Sequence, residues 1–130
     1  MAETHSSRTP DPTVRTVAGR TVVALRGEID LLVAPSLSAR LDALTSSPNP
    51  DVVVDLRAVS FIDCSGLGVL CRVRNRVLAR HGRLRLVSDD PGFLRLLRPA
   101  GLAGVFHVCT RLSEALTPGP EPVGLTAAAG

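Results

Sequence analysis

Residues 61–70 read Phe-Ile-Asp-Cys-Ser-Gly-Leu-Gly-Val-Leu. An apolar, strand-like run stops at Asp63, Cys64 and Ser65 and restarts through Gly66, Leu67 and Gly68. Three chemistries are open to such a triplet. As a nucleophile, Ser65 or Cys64 needs a general base that a third group orients. The histidines are His5, His81 and His107. They fall in an N-terminal arm, at the far end of a helix and inside a strand, so none is an evident base. The stretch also lacks the Gly-x-Ser-x-Gly pattern of a nucleophile elbow. As a helix start, Asp63 or Ser65 can accept a hydrogen bond from an orphan backbone N–H, worth about 1 kcal/mol. As a modification site, a serine at a helix N-terminus can carry a phosphate, because free N–H groups and the positive end of the dipole stabilise the anion. Capping and modification do not exclude each other. Cys64 is either a thiolate favoured by the helix end or a small tolerated side chain. Gly66-x-Gly68 is weak as a dinucleotide fingerprint, since Cys71 stands at the third glycine position. Small residues there keep the rim clear for a close partner.

The surrounding elements must place this triplet. Thr13–Val17 and Thr21–Asp30 flank Ala18-Gly19-Arg20 and predict a hairpin. Leu37, Leu41 and Leu44 recur at helical spacing, with Pro35 in the first turn where proline is tolerated. Asp51–Leu56 is a short, continuous β-branched run, suited to a strand covered on both faces. A helix over 66–81 presents Val69, Leu70, Val73 and Val77 on one face, and Arg72, Arg76 and Arg80 as a solvated basic stripe on another. Gly82 then stops it. Arg83–Ser88 forms the next strand. Asp90 caps a further helix with Pro91 at its first position and Gly101 beyond its end. Val105–Thr110 is a last strand and Arg111–Leu116 a last short helix. The order ββαβαβαβα predicts an α/β domain with a mixed, mostly parallel sheet, its first strand antiparallel. Functional residues of such a sheet lie at the carboxyl ends of the strands. Asp63, Cys64 and Ser65 should therefore share a rim with Glu28 and Asp30, which follow the preceding strand.

Composition limits the function. A chain of 130 residues suits one domain. Residues 1–13 form an arm, 14–116 the folded unit, and 117–130 a Pro-, Gly- and Ala-rich tail. Aromatic residues are 2% of the chain, with neither Trp nor Tyr, which argues against base-stacking nucleic-acid modules. All 15 basic residues are arginine, and the net charge is +3. They are spread along the chain without a dense run, so no direct nucleic-acid partner is expected. Three cysteines without a Cys-x-x-Cys pair form neither a disulfide framework nor a zinc site. No membrane-length apolar run or signal peptide is evident. The expectation is a cytoplasmic protein without membrane partner, metal or cofactor.

Gly-Glu-Ile-Asp at 27–30, then Val-Val-Val-Asp-Leu at 52–56 and Phe-Ile-Asp-Cys-Ser-Gly-Leu-Gly at 61–68, in that order, resemble the bacterial anti-sigma factor antagonists. Those proteins are single STAS domains. The resemblance covers Val14 to about Leu116. It implies a regulated ligand rather than an enzyme. The unphosphorylated form would bind an anti-sigma factor, often itself a serine kinase, and free a sigma factor. Phosphorylation would release the complex, and a PP2C-type phosphatase would restore the ligand. Ser65 matches the phosphoacceptor and Asp63 the acid that shapes its loop. Gly66, Leu67 and Gly68 match the partner-facing helix start, and Gly27, Glu28 and Asp30 the second rim segment. Cys64 and Arg72 complete the expected partner-binding set. Cys64 departs from the usual Ser or Thr and leaves the acceptor intact. The basic balance also departs from the often acidic relatives. Two other classes remain: a STAS scaffold subunit of a stress-signalling or lipid-transport complex, and a small nucleotide-binding domain.

Overall fold

The computed structural model describes residues 11–98, 102 and 104–117. Strands β1 (Thr13–Val17) and β2 (Arg20–Ile29) are followed by α1 (Ala34–Leu44), β3 (Asp51–Ile62) and α2 (Cys64–Ala79). Then come β4 (Arg83–Val87), α3 (Pro91–Leu97), β5 (Val108–Cys109) and α4 (Leu112–Ala115). The expected element order is reproduced. The sheet order is β1-β2-β3-β4-β5. β1 and β2 are antiparallel and every other neighbouring pair is parallel. The β1–β2 connection is a two-residue turn, with Val17 opposite Arg20. Ala18 and Gly19 both have positive φ, 54° and 80°, the backbone of a type I′ hairpin turn.

The central strand is covered on both sides, as a continuous Val run requires. Val52 and Val54 join Leu37 and Leu41 of α1, Leu70, Val73 and Val77 of α2, and Phe93 and Leu97 of α3 in the main core. Val53 faces the other way, with Val22, Val87, Cys109 and Ala115 of α4. Three helices thus cover one face and the short α4 the other. A buried polar cluster ties α4 down. Arg20 donates to the carbonyls of Leu116 and Thr117 at 3.1 and 3.2 Å. Asp51 lies 3.6 Å from both the Arg20 and the Arg85 guanidinium.

Several local expectations change. The short strand expected at 51–56 does not end at Leu56: β3 continues through Ile62. Of β3, only Asp51–Asp55 pair with β4, whereas β2 continues alongside β3 to the pairs Glu28–Phe61 and Ile29–Ile62. The two strands therefore run past the sheet as a ribbon. β-propensity in Val59, Phe61 and Ile62 supports it, and Val59 and Ile62 pack against the core. His81, not Gly82, takes the left-handed conformation after α2, at φ 63°. Gly82 is small for another reason: a Cβ there would lie 2.1 Å from the Pro50 carbonyl oxygen. The last strand contracts to Val108–Cys109. Gly101 and the tail beyond Thr117 lie outside the described residues, as does the arm up to residue 10.

Candidate functional site

The ribbon brings the two motif segments together. Gly27 has φ 77°, and the β2–β3 register shifts between Gly27 and Glu28. This bulge re-aims the last residues of β2. Glu28 is therefore part of the strand end, not of a loop after it. It is exposed, opposite Phe61. Asp30 makes the next turn: its carboxylate accepts the Leu32 and Val33 N–H groups at 3.1 and 3.3 Å, and its carbonyl accepts from Ala34. Asp30 is thus tied to the entry into α1.

On the β3 side, the Asp63 N–H donates to the Ile29 carbonyl at 3.3 Å. The Asp63 carboxylate accepts the Gly66 N–H at 3.1 Å. Asp63 is therefore the N-cap of α2, Cys64 occupies the first helical position and Ser65 the second. The choice between Asp63 and Ser65 as cap falls to Asp63, which leaves the Ser65 hydroxyl unused. Among the described residues no protein group hydrogen-bonds it. Ser65 is half-buried and Cys64 exposed. The first N–H groups of a helix lack intrahelical partners. Ser65 thus stands at a polarised backbone end, beside a carboxylate already engaged.

The two glycines divide their labour. A Cβ on Gly66 would lie 2.5 Å from Ile62 Cγ1 and 2.6 Å from the Ile29 carbonyl oxygen. Its smallness serves the internal contact between α2 and the ribbon rather than an incoming partner. Leu67 is buried in the core. Gly68 is exposed, and a Cβ there would meet nothing within 4 Å, so its face is open to a partner. Large apolar side chains flank this end: Leu31 is 70% exposed, Leu32 71% and Phe61 51%. Periodicity did not reveal them, because a sequence does not tell which apolar residues fail to find a core. The doublet Leu31-Leu32 after an Asp turn was the available signal.

Arg72 does not join this rim. It lies seven residues along α2 from Ser65, about 10 Å of helical rise, and its guanidinium grips Asp42 of α1 at 2.8 Å. Arg76 reaches the same carboxylate at 3.1 Å. The hydrogen bond from Arg72, aided by both charges and opposed by desolvation, holds the Asp42 carboxyl below its ordinary value. The supposed solvated basic stripe is in large part an α1–α2 clasp. Periodicity showed that these arginines share a face, but not that Asp42 faces them.

Neither histidine among the described residues, His81 or His107, can serve Ser65 or Cys64 as a base at this rim. α2 has 16 residues, which puts His81 about 24 Å of rise away. His107 precedes β5, at the amino edge of the parallel strands, and is exposed. Among the described residues no group of His, Cys, Asp and Glu could hold a metal ion. None of their helices is long and apolar enough to cross a membrane.

This geometry coincides with a family model. Residues 11–115 match the STAS domain. The chain belongs to the STAS domain family. Among similar proteins are two anti-sigma-F factor antagonists of Mycobacterium tuberculosis. RsfB is 29% identical over 111 residues, covering 83% of this chain and 90% of that protein. RsfA is 30% identical over 99 residues, covering 74% and 77%. A crystal structure of an anti-sigma factor antagonist from Mycobacterium paratuberculosis superposes with a TM-score of 0.73 at 30% identity, covering 81% of this chain and 89% of that one. The STAS fold expected from the motifs is the fold observed.

Proposed function

We propose that this STAS domain is an anti-sigma factor antagonist that works by partner switching on Ser65. In this reading the unphosphorylated rim, built from Gly27, Glu28 and Asp30 on one strand end and Asp63–Gly68 on the other, binds an anti-sigma factor and so frees a sigma factor. The anti-sigma factor doubles as the serine kinase for Ser65, and a PP2C-type phosphatase reverses the modification. The chain acts in the cytoplasm as a ligand, not as a catalyst. The observation that carries the proposal is the unengaged Ser65 hydroxyl at the second position of α2, on the same rim as the Glu28 strand end and next to a cap supplied by another residue.

The switch needs no large change of shape. A phosphate adds about −1.5 to −2 charge at pH 7. In the free protein the start of α2 and water accommodate it. In a closed interface the same anion is desolvated and close to Asp63. A near-complete switch needs roughly 5.5 kcal/mol of discrimination, and an unpaired buried charge supplies several kcal/mol of that.

The test is a pull-down from the native host with wild-type protein beside Ser65→Asp, bound proteins being identified by mass spectrometry. A kinase-type anti-sigma factor held by wild type and lost with Ser65→Asp is the expected result. Capture of the same scaffold or transporter proteins by both baits overturns the reading.

A further inference from the structure

Between the ribbon and the start of α3 lies a cavity of about 130 Å³. Val59, Ile62, Phe93 and Leu96 form its walls, and Ser60, Phe61 and Asp90 border it. We infer that this cavity is the anchor pocket of the partner-binding face: it receives one apolar side chain from a segment of the anti-sigma factor that carries positive charge beside that anchor. The inference rests on the partner-switching reading above and adds to it where the partner's affinity comes from.

Three observations point to this occupant. The first is size. Pockets for metabolites or drug-sized ligands run to about 300–1,000 Å³, whereas an apolar cavity of about 150 Å³ holds a benzene ring. A space of 130 Å³ therefore suits one aromatic or branched aliphatic side chain, the usual anchor of a protein interface. The second is continuity. Phe61 and Ile62 line the pocket, and the next residue, Asp63, caps α2. Ile62 also touches the position where a Gly66 Cβ would stand. The pocket wall and the Ser65 turn are thus one stretch of backbone, and a segment seated over Ser65 passes the pocket mouth. The half-exposed Phe61 extends the apolar surface at that mouth.

The third is charge. Although the chain carries +3 overall, no arginine lines the pocket among the described residues, and its one charged lining residue is Asp90. Asp89 is exposed beside it, and Glu28 stands opposite Phe61 across the ribbon. Arg57, the cation that feels Asp89, is held by Asp55 at 2.8 Å. The described lining thus carries negative and no positive charge, which disfavours acidic partners and steers basic ones.

Ser60 is exposed on β3, so Ser60→Trp places an indole over the mouth without touching the core. Phe61→Ala removes the apolar lip. The purified anti-sigma factor captured by the wild-type protein is titrated calorimetrically against wild type, Ser60→Trp, Phe61→Ala and Ser65→Asp. Circular dichroism and thermal unfolding verify that each variant folds. The expected result is at least tenfold weaker binding for Ser60→Trp and Phe61→Ala, about 1.4 kcal/mol, with Ser65 still phosphorylated by the kinase. Folded variants that bind as tightly as wild type, while Ser65→Asp does not bind, overturn the pocket and leave the Ser65 reading standing. Binding that Ser65→Asp leaves unchanged overturns that reading, and the inference with it. A dimer of the free protein that Ser60→Trp dissolves overturns it too, because the occupant is then a second copy.

Discussion

The Gly-Leu-Gly sequence that opens α2 separates two kinds of glycine, and an alanine at each tells them apart. At Gly66 the new methyl would lie 2.5 Å from Ile62 Cγ1, 2.6 Å from the Ile29 oxygen and 3.0 Å from Ile29 Cγ2. The Ile29 oxygen is backbone and already accepts the Asp63 N–H, so it cannot simply swing aside. Overpacking of this kind costs about 1–3 kcal/mol. With backbone among the contacts the cost lies in the upper part of that range, about 2–3 kcal/mol, and the better helix propensity of alanine returns at most about 1 kcal/mol, leaving a net loss of roughly 1–2 kcal/mol. At Gly68 nothing lies within 4 Å, so alanine brings only the propensity gain, about 0.5–1 kcal/mol. With an unfolding entropy of about 2.1 cal/mol/K per residue, 1 kcal/mol moves the Tm of a chain this long by roughly 4 °C. Calorimetric unfolding should therefore show Gly66→Ala melting roughly 4–8 °C below wild type and Gly68→Ala roughly 2–4 °C above it. Shifts of the same sign at the two positions, or a Gly66→Ala protein as stable as wild type, would refute the steric argument. Should Gly68→Ala melt higher yet bind the anti-sigma factor less well, its open face belongs to the interface.

Gly82→Ala should be destabilised by about 1–3 kcal/mol in urea unfolding, because its methyl meets the Pro50 oxygen that accepts the Arg83 N–H at 2.8 Å. Burial pushes the Asp55 carboxyl up, but the Arg57 side chain and N–H hold it below its ordinary 3.8; its ionised form is therefore stabilised by folding. That contribution is complete above the ordinary carboxylate value and is lost as pH falls through it toward the lower folded value. The stability gap between wild type and Asp55→Asn should thus be wider at pH 7 than at pH 3, and an equal gap refutes the assignment. Arg20→Met removes the donor to the Leu116 and Thr117 carbonyls and leaves Asp51 to Arg85 alone. Amide hydrogen exchange should then accelerate across Leu112–Leu116 before the three-helix face is affected, whereas uniform acceleration contradicts a local role.

Sequence alone carried the element order, the α/β class and the motif segments, because those rest on local causes. A run of Val needs cover on both faces, Leu37 and Leu41 recur at helical spacing, and Pro91 after Asp90 starts a helix wherever it occurs. The family motifs named Ser65, Asp63 and Gly-Glu-Ile-Asp without any knowledge of the fold. What pairing over long sequence distance governs was not legible. Residues 57–62 became strand because β2 lies alongside them, a partner roughly thirty residues away. Asp42 engages both Arg72 and Arg76 because α1 packs on α2. Gly66 turned out to be small for the sake of Ile29 and Ile62, not of an incoming partner, and Gly82 for the sake of Pro50, not to end the helix. The Phe61 lip and the cavity behind it exist only where the ribbon passes α3. Periodicity records which side chains share a face; tertiary packing alone decides what that face meets.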